Sequence, residues 1–275
     1  MMSNNTNEVF VCVLVANIIV CFGDPLIVAH RGASKDAPEN TIPAFELAWK
    51  QGADAIEGDF HFSKDGEIVS IHDRDTGKTS DRNLIVRKST LDELRLLDLG
   101  KYHSFGYAGT RMPTLAEVFQ TVPQGKKIYI EIKSEPKIIP KLVEEIAKSG
   151  LDENQIVVIS FKEKVIRALK ARAPQYKAMW LSGFKETASG KKTPSLNRIL
   201  KTLKKIRADG FSSSKSGIEQ SIIKGVKASG YEYHVWTIDD GDTAKQLVEW
   251  GAQSITTNIP GEMREMLFEE ETQRR

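Results

Sequence analysis

The chain has little cysteine: only Cys12 and Cys21 carry a thiol among its 275 residues, and both lie in an apolar segment near the N-terminus. Once that segment is removed, no cysteine remains. Disulfide bonds and thiol catalysis are therefore excluded from the chemistry of the mature domain.

The chain also lacks a marked excess of charge, because 39 Lys and Arg residues face 37 Asp and Glu residues, which gives a net charge of +2. Nucleic-acid-binding domains usually carry a basic excess, so we expect no nucleic-acid partner. The basic residues between positions 185 and 207 are interpreted as a solvated helix surface, which is what charge runs usually are.

One apolar run, residues 9–22, has 14 residues and includes Asn17. It is too short for a comfortable membrane span but has the length of a signal-peptide core, although no Lys or Arg precedes it. We expect residues 1–23 to be a signal peptide or N-terminal hydrophobic segment. The mature protein would then be secreted or periplasmic without a stable membrane span; with the segment retained, it would be anchored to a membrane or cytoplasmic.

Short apolar runs typical of buried strands recur through the rest of the chain, and helical patterns separate most of them. They begin near residues 26, 55, 128, 156, 177, 208, 231 and 254. Eight such units in a chain of this length predict an α/β fold, a TIM (β/α)8 barrel. The predicted barrel covers residues 24–267, with a small insertion after the second strand at about residues 74–112 and a polar tail over residues 268–275.

Residues 26–73 concentrate ionisable side chains near the predicted strand ends. His30 and Arg31 follow the first strand, and Glu57 and Asp59 share one face of the second because side chains alternate along a strand. A Lys-Asp-Gly turn signal at residues 64–66 predicts a hairpin that returns His72 to Asp59.

The third predicted strand adds a further carboxylate and a cation, because Glu131 and Lys133 share its inward face. Like the residues of the first two strands, they lie late in their strand. Active sites of TIM barrels are built at the carboxyl ends of the strands, so these side chains are expected to meet at one mouth of the barrel.

The chemistry of this group indicates phosphodiester cleavage. Three carboxylates at one mouth, Glu57, Asp59 and Glu131, repel each other unless a cation is bound, and oxygen ligands suit one divalent ion, Mg²⁺ or Ca²⁺, more than zinc. Histidines from different strands can serve as general base and general acid, and a pair of cations can clamp a phosphate group.

Six ordered motifs resemble the glycerophosphodiester phosphodiesterase family: HRGASKDAPENT, EGDFHFSKDG, SIHD, PTLAE, EIK and VWT, within residues 26–266. The resemblance implies a TIM barrel that hydrolyses a small-molecule glycerophosphodiester to an alcohol and sn-glycerol 3-phosphate. It also implies roles for individual residues: acid/base catalysis by His30 and His72; metal binding by Glu57, Asp59 and Glu131; phosphate contacts from Arg31 and Lys133; and packing of Trp236 against the glycerol.

Two alternative functions stay open. A lysophospholipase D or a phosphatidylinositol-type phospholipase would use the same plan on a lipid phosphodiester, and would need an apolar entry surface, for which the insertion offers Leu96 and Phe105 among other residues. A protein that binds phosphodiesters without cleaving them is the alternative from another class. The sequence does not decide between water and the glycerol 2-hydroxyl as the nucleophile, and it does not indicate an oligomeric state.

Overall fold

The computed structural model describes residues 24–188, 190 and 192–272, with side chains as far as Phe268. The predicted signal peptide, residues 1–23, lies outside this range and stays a prediction. Within the described part of the chain, no helix is both long and apolar enough to cross a membrane.

Eight parallel strands close into a barrel, which confirms the predicted TIM-barrel fold. Their bounds are β1 Leu26–His30, β2 Ala55–Phe62, β4 Lys127–Ile132, β5 Ile156–Ser160, β6 Lys177–Ser182, β9 Gly210–Ser214, β10 Glu232–Trp236 and β11 Ser254–Thr257. Around the barrel they follow one another in this order, and β11 pairs with β1 to complete the circle. Strand β3, Ile68–Ser70, forms a hairpin with β2, and β7 Lys185–Glu186 and β8 Lys192–Thr193 form a separate two-stranded sheet.

Helices follow the barrel strands and cover the outside of the barrel, except α2, which belongs to the insertion. They are α1 Ile42–Lys50, α2 Leu91–Arg95, α3 Leu115–Phe119, α4 Ile139–Lys148, α5 Glu163–Arg172, α6 Leu196–Ile206, α7 Gln220–Ala228, α8 Gly241–Glu249 and α9 Pro260–Thr272. The main apolar core lies between these helices and the strands, and a smaller cluster that includes Val28, Tyr129 and Met179 fills the barrel interior. Alternating side chains along each strand supply both layers.

The predicted hairpin is present. Strand β3, Ile68–Ser70, pairs antiparallel with the end of β2, with Phe60 opposite Ser70. The pairing extends one residue further, because Ile71 N donates a hydrogen bond to Asp59 O over 2.9 Å. The arm pairs with the same edge of β2 as β1 does: β1 pairs with the first half of β2, and the arm pairs with its last residues. It therefore lies at the carboxyl end of the barrel.

The insertion after this arm has an apolar cluster of its own, made of Val69, Ile71, Val86, Leu94, Leu97, Leu99 and Met112. Its helix α2 begins with a capping box in which Thr90 and Glu93 satisfy each other's backbone N–H groups. Most apolar residues of the insertion are therefore used in packing, whereas Leu96 and Phe105 remain exposed.

The predicted tail needs a correction at its start. Helix α9 continues to Thr272, and Phe268 packs against the main core and lies under the Arg264 guanidinium. The boundary predicted between residues 267 and 268 therefore falls inside a helix. The helix continues past it because the apolar side chain of Phe268 packs against the core.

Candidate active site

The loop between β1 and α1 shapes the first part of the site. Arg31 and Gly32 both adopt positive φ, 58° and 83°, so the chain turns sharply as soon as β1 ends. Gly32 lies against Ala44, and a Cβ there would be 2.5 Å from the carbonyl carbon of that residue. The absence of a side chain at Gly32 therefore lets α1 approach the strand end closely.

The three predicted metal ligands come together. Asp59 and Glu131 are register partners on the adjacent strands β2 and β4, and Glu57 lies one inward position earlier on β2. All three side chains are buried, and each offers an oxygen within 4.8 Å of the others. The alternation of side chains along the strands, together with the expected barrel, predicted this cluster.

Both predicted phosphate-binding cations contact the carboxylates. Lys133 Nζ lies 3.1 Å from Asp59 Oδ1 and 2.8 Å from Glu131 Oε1. Arg31 Nε lies 3.1 Å from Asp59 Oδ2, and its Nη1 donates to Glu39 Oε1 over 2.9 Å. Asp59 therefore lies between two cations, which fix its carboxylate from both sides.

The carboxylates differ in their affinity for protons. Burial raises the pKa of Glu57 well above its usual range, and the neighbouring charges of Asp59 and Glu131 add to the shift. Burial and the Asp59 charge raise the pKa of Glu131 to about 7. Burial acts in the same direction on Asp59, but the charges of Lys133 and Arg31 outweigh it and hold its pKa at about 2. The cluster thus keeps one firmly ionised carboxylate beside two that hold protons more tightly.

His30 and His72 line the same cavity although one ends β1 and the other follows the hairpin arm. His30 ends β1, and its Nδ1 lies 2.8 Å from Asn258 Oδ1. Burial, with a smaller effect from Arg31, lowers the pKa of His30 to about 4, so its ring is neutral at pH 7. His72 follows the hairpin arm; its carbonyl accepts a hydrogen bond from His61 Nε2, and its Nδ1 donates to Asp73 Oδ1 over 2.8 Å.

Apolar side chains form another part of the cavity lining. Trp236 ends β10, and its ring meets that of Phe161 edge to face with 5.4 Å between centroids. Ile159 and Leu181 complete this apolar part. Both predicted catalytic histidines, both predicted phosphate-binding cations and two of the predicted metal ligands, Glu57 and Glu131, therefore line one cavity together with the uncharged side chains around Trp236. Asp59 is not part of the lining: it is buried, and it contacts Arg31 and Lys133.

Comparison with known proteins decides the family. The profile of the glycerophosphoryl diester phosphodiesterase family matches residues 30–262. The chain belongs to this family. A protein of Caldanaerobacter subterraneus subsp. tengcongensis named glycerophosphodiester phosphodiesterase is 32% identical over 245 residues, which are 86% of this chain and 94% of that protein. A Bacillus subtilis protein of the same name is 29% identical over 251 residues, or 86% of this chain and 84% of the relative.

Solved structures of family members have the same fold. A phosphodiesterase of Oleispira antarctica, crystallised in complex with the product sn-glycerol-3-phosphate, superposes with a TM-score of 0.80 at 26% identity, over 88% of this chain and 96% of that one. A glycerophosphodiester phosphodiesterase structure from Galdieria sulphuraria, described as putative, gives 0.73 at 26% identity over 88% and 98%. These matches place this chain among glycerophosphodiester phosphodiesterases, which are phosphoric diester hydrolases.

The carboxylate cluster of this family member fits a divalent cation. All of its donors are oxygens, which is the donor set of hard ions. The buried Oε1 of Glu57 has no hydrogen-bond donor among the described residues, although its Oε2 accepts from Arg31 N over 3.0 Å. A buried carboxylate oxygen without a partner is costly, and a bound cation would remove that cost.

Three side chains near the site were not among the predicted site residues. Asn40 forms two hydrogen bonds with Asp59. Asn258 contacts His30 and is itself held by Asp239. Both Asp239 and Asn258 follow the ends of barrel strands, so a search for polar residues in every strand-to-helix loop would have found them.

Proposed function

We propose that this protein hydrolyses glycerophosphodiesters to an alcohol and sn-glycerol 3-phosphate with one divalent cation, Mg²⁺ or Ca²⁺. The observation that carries the proposal is the composition of the site: two histidines, two cations and two carboxylates line one cavity, and these carboxylates cluster with a third, the buried Asp59. The family's activity and the product bound in the Oleispira antarctica structure support it.

Glu57, Asp59 and Glu131 would hold the cation. When bound, the cation neutralises charge on the non-bridging phosphate oxygens and so favours attack at phosphorus. Arg31 and Lys133 lie beside the same carboxylates and donate to the phosphate from the cavity side. The negative charge of the phosphodiester must be neutralised by these positive groups, because its anionic oxygens otherwise repel a nucleophile.

The two histidines divide the proton transfers. One removes the proton of the attacking hydroxyl, which is water or the glycerol 2-hydroxyl, and the other donates a proton to the departing alkoxide. Their placement at the end of β1 and after the hairpin arm allows them to face the reacting phosphate from different directions. Trp236 and Phe161 offer aromatic faces on which the carbon atoms of the glycerol can pack.

The experiment is release of glycerol 3-phosphate from a panel of head groups, carried out on the apo-protein treated with EDTA and after separate additions of Mg²⁺ and Ca²⁺. We expect release to stop with EDTA and to return with one of the two cations. Activity that resists chelation would contradict the cation site. No release from any head group would favour the non-catalytic phosphodiester-binding alternative.

A lipid phosphodiester is the second candidate substrate, because Leu96 and Phe105 of the insertion are 76% and 81% exposed. Exposed apolar side chains of this size can contact an acyl chain. Glycerophosphocholine and lysophosphatidylcholine share a head group and differ only in the acyl chain. Faster turnover of the lysolipid, lost in a Leu96→Ser, Phe105→Ser variant, would favour the lipid substrate over the water-soluble one.

A further inference from the structure

The hydrogen bonds of Asn258 determine which nitrogen of His30 carries the proton. A carboxylate oxygen can only accept a hydrogen bond, and Asp239 Oδ2 lies 2.6 Å from one terminal atom of the Asn258 amide. That atom is therefore the amide nitrogen, Nδ2. The amide oxygen, Oδ1, then faces His30, and since a carbonyl oxygen cannot donate, the His30 nitrogen opposite it must be protonated.

Further contacts fix this orientation of the amide. Asp239 Oδ1 also accepts from Asn258 N and from Thr257 Oγ1, each over 2.8 Å, so the carboxylate is tied to the backbone and to two side chains of the β11–α9 loop. On the other side, Ser34 Oγ donates to Asn258 Oδ1 over 3.0 Å. Turning the amide over would place an N–H group against the Ser34 hydroxyl and the His30 ring, and an oxygen against the Asp239 carboxylate.

We propose that Asn258, oriented by Asp239, holds the proton of neutral His30 on Nδ1 and thereby makes Nε2 the proton acceptor at the cavity. This inference rests on the proposed function and deepens it, because it assigns the general base to His30 and leaves the general acid to His72. Among the described residues, none donates a hydrogen bond to His30 Nε2, so its lone pair is available to a hydroxyl group in the cavity.

The proton transfers then balance. The attacking O–H bond breaks, its proton moves to His30 Nε2, and the oxygen bonds to phosphorus while the bond to the leaving oxygen breaks. The leaving oxygen takes a proton from His72. The imidazolium formed at His30 keeps its Nδ1–H bond to Asn258 Oδ1, and solvent afterwards removes the Nε2 proton and reprotonates His72. Asn258 touches neither the phosphate nor the cation in this scheme and is a positioning residue.

The tautomer can be measured without reference to catalysis. Two-bond ¹H–¹⁵N correlation spectra of the full chain, labelled at histidine nitrogen and assigned with a His30→Gln variant, distinguish the Nδ1–H from the Nε2–H form at pH 7.5. We expect the Nδ1–H form in the unmodified protein and a shift toward the Nε2–H form in Asn258→Leu. An Nε2–H ring in the unmodified protein, or an unchanged tautomer in Asn258→Leu, would overturn the proposal.

Kinetics test the consequence for catalysis. We expect Asn258→Leu to lower kcat for a glycerophosphodiester by about 10²-fold, the lower end of what general base catalysis contributes, with KM within a factor of about three. Asp239→Asn alone should lower kcat less than Asn258→Leu does. The Asn258 amide is then free to flip, so it presents its oxygen to His30 for only part of the time. The double variant Asn258→Asp, Asp239→Asn exchanges the charged and neutral partners, keeps an acceptor against Nδ1 and should recover most of the kcat lost in either single variant.

A matched control lies beside Asp239. Asp240 caps α8 by accepting hydrogen bonds from Thr243 and has no contact with Asn258, so Asp240→Ala loosens the same loop without changing the amide. Its kcat should be unchanged. Loss of activity equal to that of Asn258→Leu would overturn the positioning role. If the tautomer is Nδ1–H but a His30→Gln variant turns over normally, the assignment of His30 as a catalytic residue fails while the cation-dependent activity stands.

Discussion

Asn40 and Asp59 are joined by two hydrogen bonds: Asn40 Nδ2 donates to Asp59 Oδ2, and Asp59 N donates to Asn40 Oδ1, each over 2.9 Å. Asn40 adopts a positive φ of 61°, a conformation that Asn tolerates better than most residues. The pair therefore connects the loop before α1 to a predicted cation ligand on β2 and holds the carboxylate in one orientation.

Asn40→Ala should weaken cation binding by about 10- to 100-fold, the usual effect of removing a residue that orients a ligand. Asn40→Gly is the matched variant, because it removes the same hydrogen bonds but relieves the positive φ. Calorimetric titration with Mg²⁺ or Ca²⁺ should show similar losses of affinity in both, whereas Tm should fall further for alanine. Normal affinity in the glycine variant would show that the hydrogen bonds do not orient Asp59 for the cation.

Removal of Lys133 should have opposite effects on cation and substrate. At an effective dielectric constant of 20, the positive charge of Lys133 at roughly 5 Å would repel a divalent cation by about 7 kcal/mol before screening by solvent. We expect Lys133→Met to bind the cation at least about tenfold more tightly and to bind phosphodiester more weakly, with a higher KM. Lys164→Met replaces an exposed lysine that pairs with Glu135; it is the control and should change neither constant. Weaker cation binding in Lys133→Met would contradict this arrangement.

Cation affinity should rise with pH. The raised pKa values of Glu57 and Glu131, the latter about 7, mean that protons must leave before both carboxylates can bind a cation. Below pH 7 each proton displaced costs up to about tenfold in affinity per pH unit. Titrations at pH 6 and pH 8, in buffers of different ionisation enthalpy, should show weaker binding and more proton release at pH 6. Glu131→Gln should reduce that proton release; affinity independent of pH would contradict the prediction.

The two cavity histidines should be essential for turnover and dispensable for folding. His30→Ala and His72→Ala are each expected to lower kcat by about 10²- to 10⁴-fold, the range that general acid–base catalysis contributes, with cation affinity and Tm little changed. His103 donates to Lys35 O at the insertion, away from the cavity, so His103→Ala is the control. Near-normal kcat in either cavity variant would remove that histidine from the mechanism.

Gly32 should be intolerant of any side chain. Gly32→Ala would place a Cβ 2.5 Å from the carbonyl carbon of Ala44, and φ at position 32 is already positive. We therefore expect a loss of about 3 kcal/mol or more in the free energy of unfolding. Gly66→Ala, in the β2–β3 turn, has a similar φ but open space around the new Cβ, and should lose only about 1 kcal/mol. Urea denaturation measures both; equal losses would show that the contact with Ala44 can relax.

The sequence was most informative where local periodicity determines position. Side-chain alternation predicted that Glu57 and Asp59 share a face, and the Lys-Asp-Gly turn predicted the arm that carries His72. The contact of Asn40 with Asp59 was not predicted, because an Asn before an apolar helical stretch also looks like a cap; Thr41 occupies that position, and it makes no capping hydrogen bond. The direction in which the Asn40 side chain points depends on its tertiary partner, Asp59, which the local sequence does not reveal.

The Asn258–His30 contact could not be predicted for a different reason. It joins residues 228 positions apart and exists only because β11 pairs with β1 when the barrel closes. Neither a capping pattern nor strand periodicity encodes that distance. The topology of the barrel could bring the two loops to one mouth, but only side-chain coordinates show that the amide and the imidazole meet.

The closure of β11 onto β1 has a consequence for the newly made chain. During synthesis, the carboxylates of β2 and β4 leave the ribosome well before Asn258, the partner of His30. Contacts between such distant positions form late, because a long loop must close first. A chain that lacks β11 would contain the three carboxylates but no partner for His30. Catalytic activity would therefore appear only when β11 pairs with β1.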